Sequence, residues 1–433
     1  MSGMAERAQV VQEKSASRAM ALVRGLLCDY YPRDFAVELW DGQRWDPEPG
    51  QFCRFTWHIN HPSCLRAILR SDRQVALGES YIYGDYEITG DILAIFAVAE
   101  YLAAKHFGAT EKLRLGSLLL GISSKAGNYV APSLHGSLHS KARDRQAASF
   151  HYDVSNDFYA LWLDPAMVYS CAYFESSQDS IEAAQRQKMD YICGKLRLQP
   201  GERLLDIGCG WGGLIQHAAR HYGVHATGIT LSERQLTLAR QRIAESGLES
   251  RCQAHLLDYR EAAQLGKFDK LVSVGMVEHV GESKLPEYFR AAFDLLKPGG
   301  VFLNHGIGRA GNRPKPAEPT FTDVYVFPDG ELVPISQMLG FAEQAGFEVR
   351  DVENLREHYF LTLGQWLRRL EANENAARRL VGEVKYRIWR MYLAGSAYYF
   401  QTGKLDLYQS LLVKCKGGGS GMPLTRRDWY QGL

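Results

Sequence analysis

The chain has 433 residues, more than one average domain holds, and 46% hydrophobic against 23% charged residues is the composition of a soluble globular protein. A formal net charge of +1 gives no global attraction to nucleic acid or membrane, so any electrostatic partner must be met by a local patch. The 8 cysteines show no C-x-x-C pair and no metal-ligand spacing, which implies reduced thiols in a cytoplasmic protein and no metal site. The opening "MSGMAERAQVVQEKSAS" lacks the apolar core of a signal peptide. The longest early apolar run, "ILAIFAVA" at 92–99, is far shorter than the roughly 20 residues that span a bilayer, so no crossing is expected.

In chain order, "FAVELWDGQRW" predicts a hairpin turning at Asp41-Gly42, and "QFCRFTWHINH" predicts a further strand. Helical periodicity follows in "DILAIFAVAEYLAAKHF", and residues 1–110 read as a small α+β domain. The stretch 111–150 is a basic linker. With the residues just before it, it carries Lys105, Lys112, Arg114, Lys125, Lys141, Arg143 and Arg145 against Glu111 and Asp144, around the leucines of "LRLGSLLLGI". Such a stretch suits an anionic membrane surface, where each cation is worth about 1 kcal/mol. On its own it reads rather as an ordinary solvated linker. Residues 151–415 form the next domain. Between about 185 and 353, strands "RLLDIG", "HATGIT", "QAHLLD", "KLVSVGM", "GGVFLNHGIG" and "FEVRDVE" alternate with helical segments, which predicts a mainly parallel sheet covered on both faces. A charged and aromatic helical tail follows, then a flexible segment, 416–433, containing "KGGGSG" and Arg426 and Arg427.

In "RLLDIGCGWGGL", Gly208, Gly210, Gly212 and Gly213 lie between a strand and a helix, where glycine permits a tight turn and close approach to a ligand. A dinucleotide is the first candidate for such a loop. The second strand, however, ends in "GITLSERQ", with Thr230 and Gln235 where a ribose-binding acid would stand. With Asp206 before the glycines, "LDIGCGWGG" resembles the first motif of class I S-adenosylmethionine-dependent methyltransferases. Asp258, Tyr259 and Arg260 of "LLDYREA" then fit the adenine side of the pocket.

A narrower resemblance rests on "FHYDVSNDFYALWLDPAMVYSCAYFE" at 150–175, the glycine motif, "SVGMVEHVG" and "NHGIG", in that order. The chain is similar to the cyclopropane-fatty-acyl-phospholipid synthases over about 150–412, and its N-terminal domain is of the kind they carry. The resemblance implies a class I Rossmann-like fold behind a small α+β domain. It implies methyl transfer from S-adenosylmethionine to the cis double bond of a phospholipid acyl chain, then ring closure through a carbocation that bound bicarbonate deprotonates. Loss of the proton from another carbon would instead leave a methyl or methylene branch. The site must be dry, and aromatic faces favour a cation, with Tyr173, Phe174, Tyr325 and Phe327 as candidates.

Carried over motif by motif, the bicarbonate would be held by Cys171, Glu278, His305, Ile307 and Tyr359, with Glu278 and His305 just past the C-terminal ends of their strands. His279, beside Glu278, would orient the turn. The cofactor would meet Tyr169, Ser170, Asp206, Gly208, Gly210, Gly212, Thr230, Gln235, Tyr259 and Arg260. Gly306 stands where the family commonly has threonine, and Ser396 where it often has a cysteine. The resemblance further implies a phospholipid bilayer surface as partner, contacted from the cytoplasmic face through 105–145, and self-association into a homodimer. Nucleic acid is excluded, because no aromatic-and-basic reading surface accompanies the charges.

Overall fold

The computed structural model describes all residues except 1–14, 69, 71, 106–107, 109–112, 114, 119–133, 153, 313–317 and 431–433. The chain divides into two compact units, one drawn from residues up to 132 with 316–325 and 383–395, the other from 133–315, 326–382 and 396–433.

In the first unit the hairpin is present: β1 (Phe35–Leu39) pairs antiparallel with β2 (Arg44–Trp45), and Gly42 takes a positive φ of 88° at the turn. β3 (Phe55–Ile59) runs parallel to β1. β4 (Tyr86–Gly90), which the sequence reading passed over, completes a sheet ordered β2-β1-β3-β4. Phe35 and Phe55 stack at 4.7 Å in its core, and the periodic helix forms over Ala94–Ala104. Of the basic stretch, Lys112, Arg114 and Lys125 lie outside the described residues. Lys105 is not free, since its ammonium donates to the Leu26 carbonyl at 3.1 Å.

The second unit carries a seven-stranded sheet. Its strands are β5 (Arg203–Ile207), β6 (His225–Thr230), β7 (Cys252–Leu256), β8 (Phe268–Val274), β9 (Leu296–Arg309), β10 (Glu348–Asn354) and β11 (Leu405–Val413), in the order β10-β11-β9-β8-β5-β6-β7. The strands read as continuous apolar runs because both faces are buried. Leu204, Val272, Leu303 and Leu411 enter one core cluster, while their neighbours Leu205, Leu271, Phe302 and Leu412 enter the other. The order reverses between β5 and β8, so the loops leaving their C-terminal ends open a crevice there.

Two expectations are corrected. The tail after the last predicted strand is not wholly helical, because "LDLYQSLLV" forms β11 and inserts antiparallel between β9 and β10. Residues 416–430 do not hang loose either. Trp429 is buried, Asp428 pairs with Arg197 at 2.6 Å, and Arg426 pairs with Asp351 at 2.6 Å.

Candidate active site

The chain leaves β5 through Gly208 and Gly210, both at positive φ, and the amides of Gly208 and Cys209 donate to the Ile229 carbonyl of β6. A Cβ on Gly208 would lie 3.1 Å from Met276, and one on Gly213 would lie 2.9 Å from the Ala166 carbonyl. Side chains here would therefore close the space between the loops. Gly212 serves differently. It caps the helix Gly213–Tyr222 and backs onto Ala239, away from the cavity, so its requirement is packing and not ligand approach.

The glycine loop walls a cavity of about 150 Å³. Around it stand Tyr169, Ser170, Asp206, Thr230, Gln235, Tyr259 and Arg260, with Gly208, Gly210 and Gly213 beneath, so the sequence-derived cofactor residues other than Gly212 converge on one space. Asp206 is buried, one of its oxygens has no hydrogen-bond partner among the described residues, and burial pushes its carboxyl up to about 7. An unmatched carboxylate at the end of β5, beside a glycine loop open enough for a ligand, fits a group that brings hydroxyl or amino donors.

Thr230 donates to the Gln235 carboxamide oxygen at 2.8 Å, which leaves the amide nitrogen facing Gly210. Arg260 acts as a brace. Its guanidinium donates to both oxygens of Asp258, to Asp144 and to the His139 carbonyl. Lys188, which the motif reading does not single out, is buried on the cavity wall and donates to the Ser170 hydroxyl at 2.8 Å. Burial lowers its ammonium to about 8, with the charge of Asp206 among the groups that oppose the shift. A signal existed: Ile181, Gln185, Lys188, Ile192 and Lys195 fall at helical spacing on one stripe, and all are buried.

None of the five residues assigned to the anion lines this cavity. Glu278 sits in the turn after β8, half-buried, with its carboxyl turned inward. One oxygen accepts the Ile307 amide at 2.7 Å, and the other has no partner among the described residues. The Ile307 amide is thus spent on Glu278 and serves to hold that carboxyl. Burial pushes the Glu278 carboxyl up to about 7, so near neutrality it exists in both protonation states.

His305 does not follow a strand end as expected. It lies within β9, level with the last residue of β8, because β11 pairs with β9 as far as Arg309 and keeps it extended. Its Nδ1 meets the Gln409 carboxamide at 3.2 Å, and its Nε2 is buried with no partner among the described residues. Burial, with Lys188 and Lys195 nearby, holds the ring neutral.

Cys171 is buried, its thiol points at the Ala172 and Leu355 carbonyls, and burial pushes it far above the usual thiol range. It is a protonated side chain and no nucleophile. Tyr359 is buried on the helix Arg356–Ala372, its ring packed on Phe400 at 4.6 Å.

The aromatic candidates for facing a cation do not border the cavity. Tyr173 stacks on His358, Phe174 is core, Phe327 stacks on His151 at 3.7 Å, and Tyr325 belongs to the first unit, where its hydroxyl donates to Glu79. Tyr152, Tyr169 and Trp211 take their place on the wall. His279 joins them. Its Nε2 lies 3.2 Å from the Tyr152 hydroxyl, and burial lowers the imidazole to about 4, so it stays neutral.

Gly306 has a local explanation. A Cβ there would come within 2.3 Å of the Val277 Cγ1. Gly306→Thr is expected to destabilise the protein by about 1–3 kcal/mol through overpacking. Adding Val277→Ala should recover most of that in thermal unfolding.

With this geometry in place, the profile of the mycolic acid cyclopropane synthetase family matches residues 139–410. The chain belongs to that family. Its members are S-adenosylmethionine-dependent methyltransferases, and the sheet order above is that of their class I fold. Within the family's reach, the chain is 41% identical over 402 residues to a probable fatty acid methyltransferase of Pseudomonas putida, which covers 91% of this chain and 96% of that one. It is 37% identical over 372 residues to the tuberculostearic acid methyltransferase UfaA1 of Mycobacterium tuberculosis, covering 82% of each. Among solved structures, a mycolic acid cyclopropane synthase complexed with SAH and CTAB superposes with a TM-score of 0.59 at 35% identity, over 62% of this chain and 97% of that one.

Proposed function

We propose that the chain methylates the cis double bond of an unsaturated phospholipid acyl chain with S-adenosylmethionine and closes a cyclopropane ring, using bicarbonate to accept the proton. One observation supports this reading: Glu278 Oε2 and His305 Nε2 are buried and unmatched among the described residues, Glu278 lying between the cavity-lining Met276 and His279 and His305 paired with the cavity-lining Val274. When bound, S-adenosylmethionine supplies an electrophilic methyl group and bicarbonate supplies a proton acceptor.

The chain's own residues supply the rest. Asp206, Gln235 and the glycine loop bind and orient the donor at the crevice. Glu278 can accept a hydrogen bond from an anion's hydroxyl as a carboxylate, and His305 can donate to an anion's oxygens. Such charge-assisted bonds gain strength where water is excluded, and Asp206, Gln235 and His305 are buried, as is the Oε2 of the half-buried Glu278. Cys171 supports a cation route over covalent catalysis, since its thiol stays protonated.

A second reading keeps the donor and the lipid and ends in a methyl or methylene branch. It is favoured by the methyltransferase names of the two relatives. Product from a trideuteromethyl donor separates the outcomes. Ring closure retains two of the methyl deuteriums and gives upfield ring protons in the NMR spectrum. A methylene branch retains two without those protons, and a methyl branch retains all three. The ring-closing reading fails if no ring protons are found.

The bilayer surface as partner rests on the basic stretch, and its charges are unequal. Lys141 pairs with Glu261 at 3.0 Å and Arg143 with Asp329 at 2.6 Å, so neither is spare for lipid. Reversal of Lys112, Arg114 and Lys125 together is therefore expected to weaken co-sedimentation with anionic vesicles, and unchanged sedimentation would remove this stretch from the reading. Among the described residues no helix is long and apolar enough to cross a membrane.

A further inference from the structure

The stripe on the helix Ile181–Leu196 that holds Lys188 also holds Lys195, which touches neither the cavity nor the groups assigned to the anion. Lys195 is buried beside Glu353, with Asp351 at 3.8 Å, and its ammonium donates to the Gln409 Oε1 at 2.9 Å. Tyr191 adds a hydroxyl to Glu353 at 2.8 Å. Gln409 stands on β11 directly across from His305 on β9, and both side chains are buried.

The donor inventory along this row is closed. An ammonium only donates, so the Gln409 atom facing Lys195 must be its oxygen. The carboxamide nitrogen then faces the ring and donates to His305 Nδ1. A neutral imidazole has one hydrogen, and with Nδ1 accepting, that hydrogen is on Nε2.

We infer that Lys195 and Gln409 are positioning residues that fix His305 as the Nε2–H tautomer, so that it offers a donor and not a lone pair to an anion beside Glu278. The Lys195–Gln409–His305 row is the observation behind it, and the functional half rests on the reading of His305 as an anion holder. The other tautomer would set a nitrogen lone pair against the anion's oxygens in a buried site, where that repulsion is poorly screened. A purely space-filling role for the same residues makes no demand on the tautomer.

Nitrogen-15 NMR of histidine-labelled protein tests this, with the His305 signals assigned by their loss in His305→Gln. In the wild type, Nε2 is expected to be protonated and Nδ1 bare. Gln409→Glu keeps an oxygen for Lys195 but turns the other end into an acceptor, so a proton is expected on Nδ1. Methyl transfer in this variant should fall on the order of 10²-fold, the scale of one lost donor to a buried anion, and recover as pH falls and Nε2 regains its proton. Lys195→Arg, still a cationic donor, should keep the wild-type nitrogen pattern, whereas Lys195→Met should mix the tautomers.

A bare Nε2 in the wild type, or an unprotonated Nδ1 in Gln409→Glu, overturns the relay. A tautomer that switches while methyl transfer is unchanged at every pH overturns its functional half and with it the anion role of His305. A wild type inactive toward lipid but showing the expected nitrogen pattern would count against the proposed reaction and leave the relay standing.

Discussion

Glu278→Gln is expected to lower methyl transfer by about 10²–10⁴-fold, the usual range for losing a proton-handling group, while the donor still binds. The amide oxygen can keep the bond from the Ile307 amide, and the new amide nitrogen falls where a carboxylate oxygen already lacks a partner. The substitution is therefore gentle to the fold and severe to the chemistry. It should even stabilise the protein in alkaline buffer. The Glu278 carboxyl is raised from 4.5 to about 7 by burial, so the stability tied to its neutral form is complete below about 4.5 and is lost as pH rises through about 7. A neutral glutamine avoids that loss, and at pH 8 the variant should be more stable by roughly 3 kcal/mol. Denaturant titrations of both proteins at pH 5 and pH 8 measure it. An advantage that shrinks toward pH 5 fits a buried carboxyl, and near-normal turnover would remove Glu278 from the site.

Lys195→Met is the second large effect, and it falls on stability. The ammonium is buried and serves Glu353, Asp351 and Gln409 at once. Asp351 keeps Arg426, and Glu353 is partly exposed and can turn to water, but the Gln409 oxygen is left buried and unmatched. A stranded polar group costs about 1–3 kcal/mol, and loss of one member of a buried ion pair about 3–5 kcal/mol. Because Glu353 can rehydrate, about 3 kcal/mol is expected. Lys195→Met with Glu353→Gln should be less destabilised than the sum of the two single changes, which a double-mutant cycle reads directly. Additive losses would mean that the two side chains do not act as a pair.

The limits of the sequence reading follow from distance along the chain. The parallel strands were legible because each is an apolar run bounded by turn residues, and the cofactor loop because its glycines fall at a strand end. β11 was not. Its apolar residues follow a long helix, and nothing local says that they pair with a strand about a hundred residues earlier. Missing that strand hid Gln409, and with it the partner of His305. The same blindness covers the basic stretch. Lys141 and Arg143 look like free cations in sequence, yet their carboxylates lie 120 and 186 positions away. Lys188 and Lys195 were readable in principle, as lysines on the apolar stripe of an amphipathic helix. The aromatic candidates failed for a different reason: adjacency to a motif says nothing about which way a ring faces, and Phe327 and Tyr173 spend theirs on histidines.

The most direct measurement incubates the full chain with S-adenosylmethionine and unsaturated phospholipid vesicles, with bicarbonate present or removed, and analyses the acyl chains. A cyclopropane product that accumulates with bicarbonate and falls without it is the expected result. Absence of any methylated acyl chain when bicarbonate is present would contradict the account.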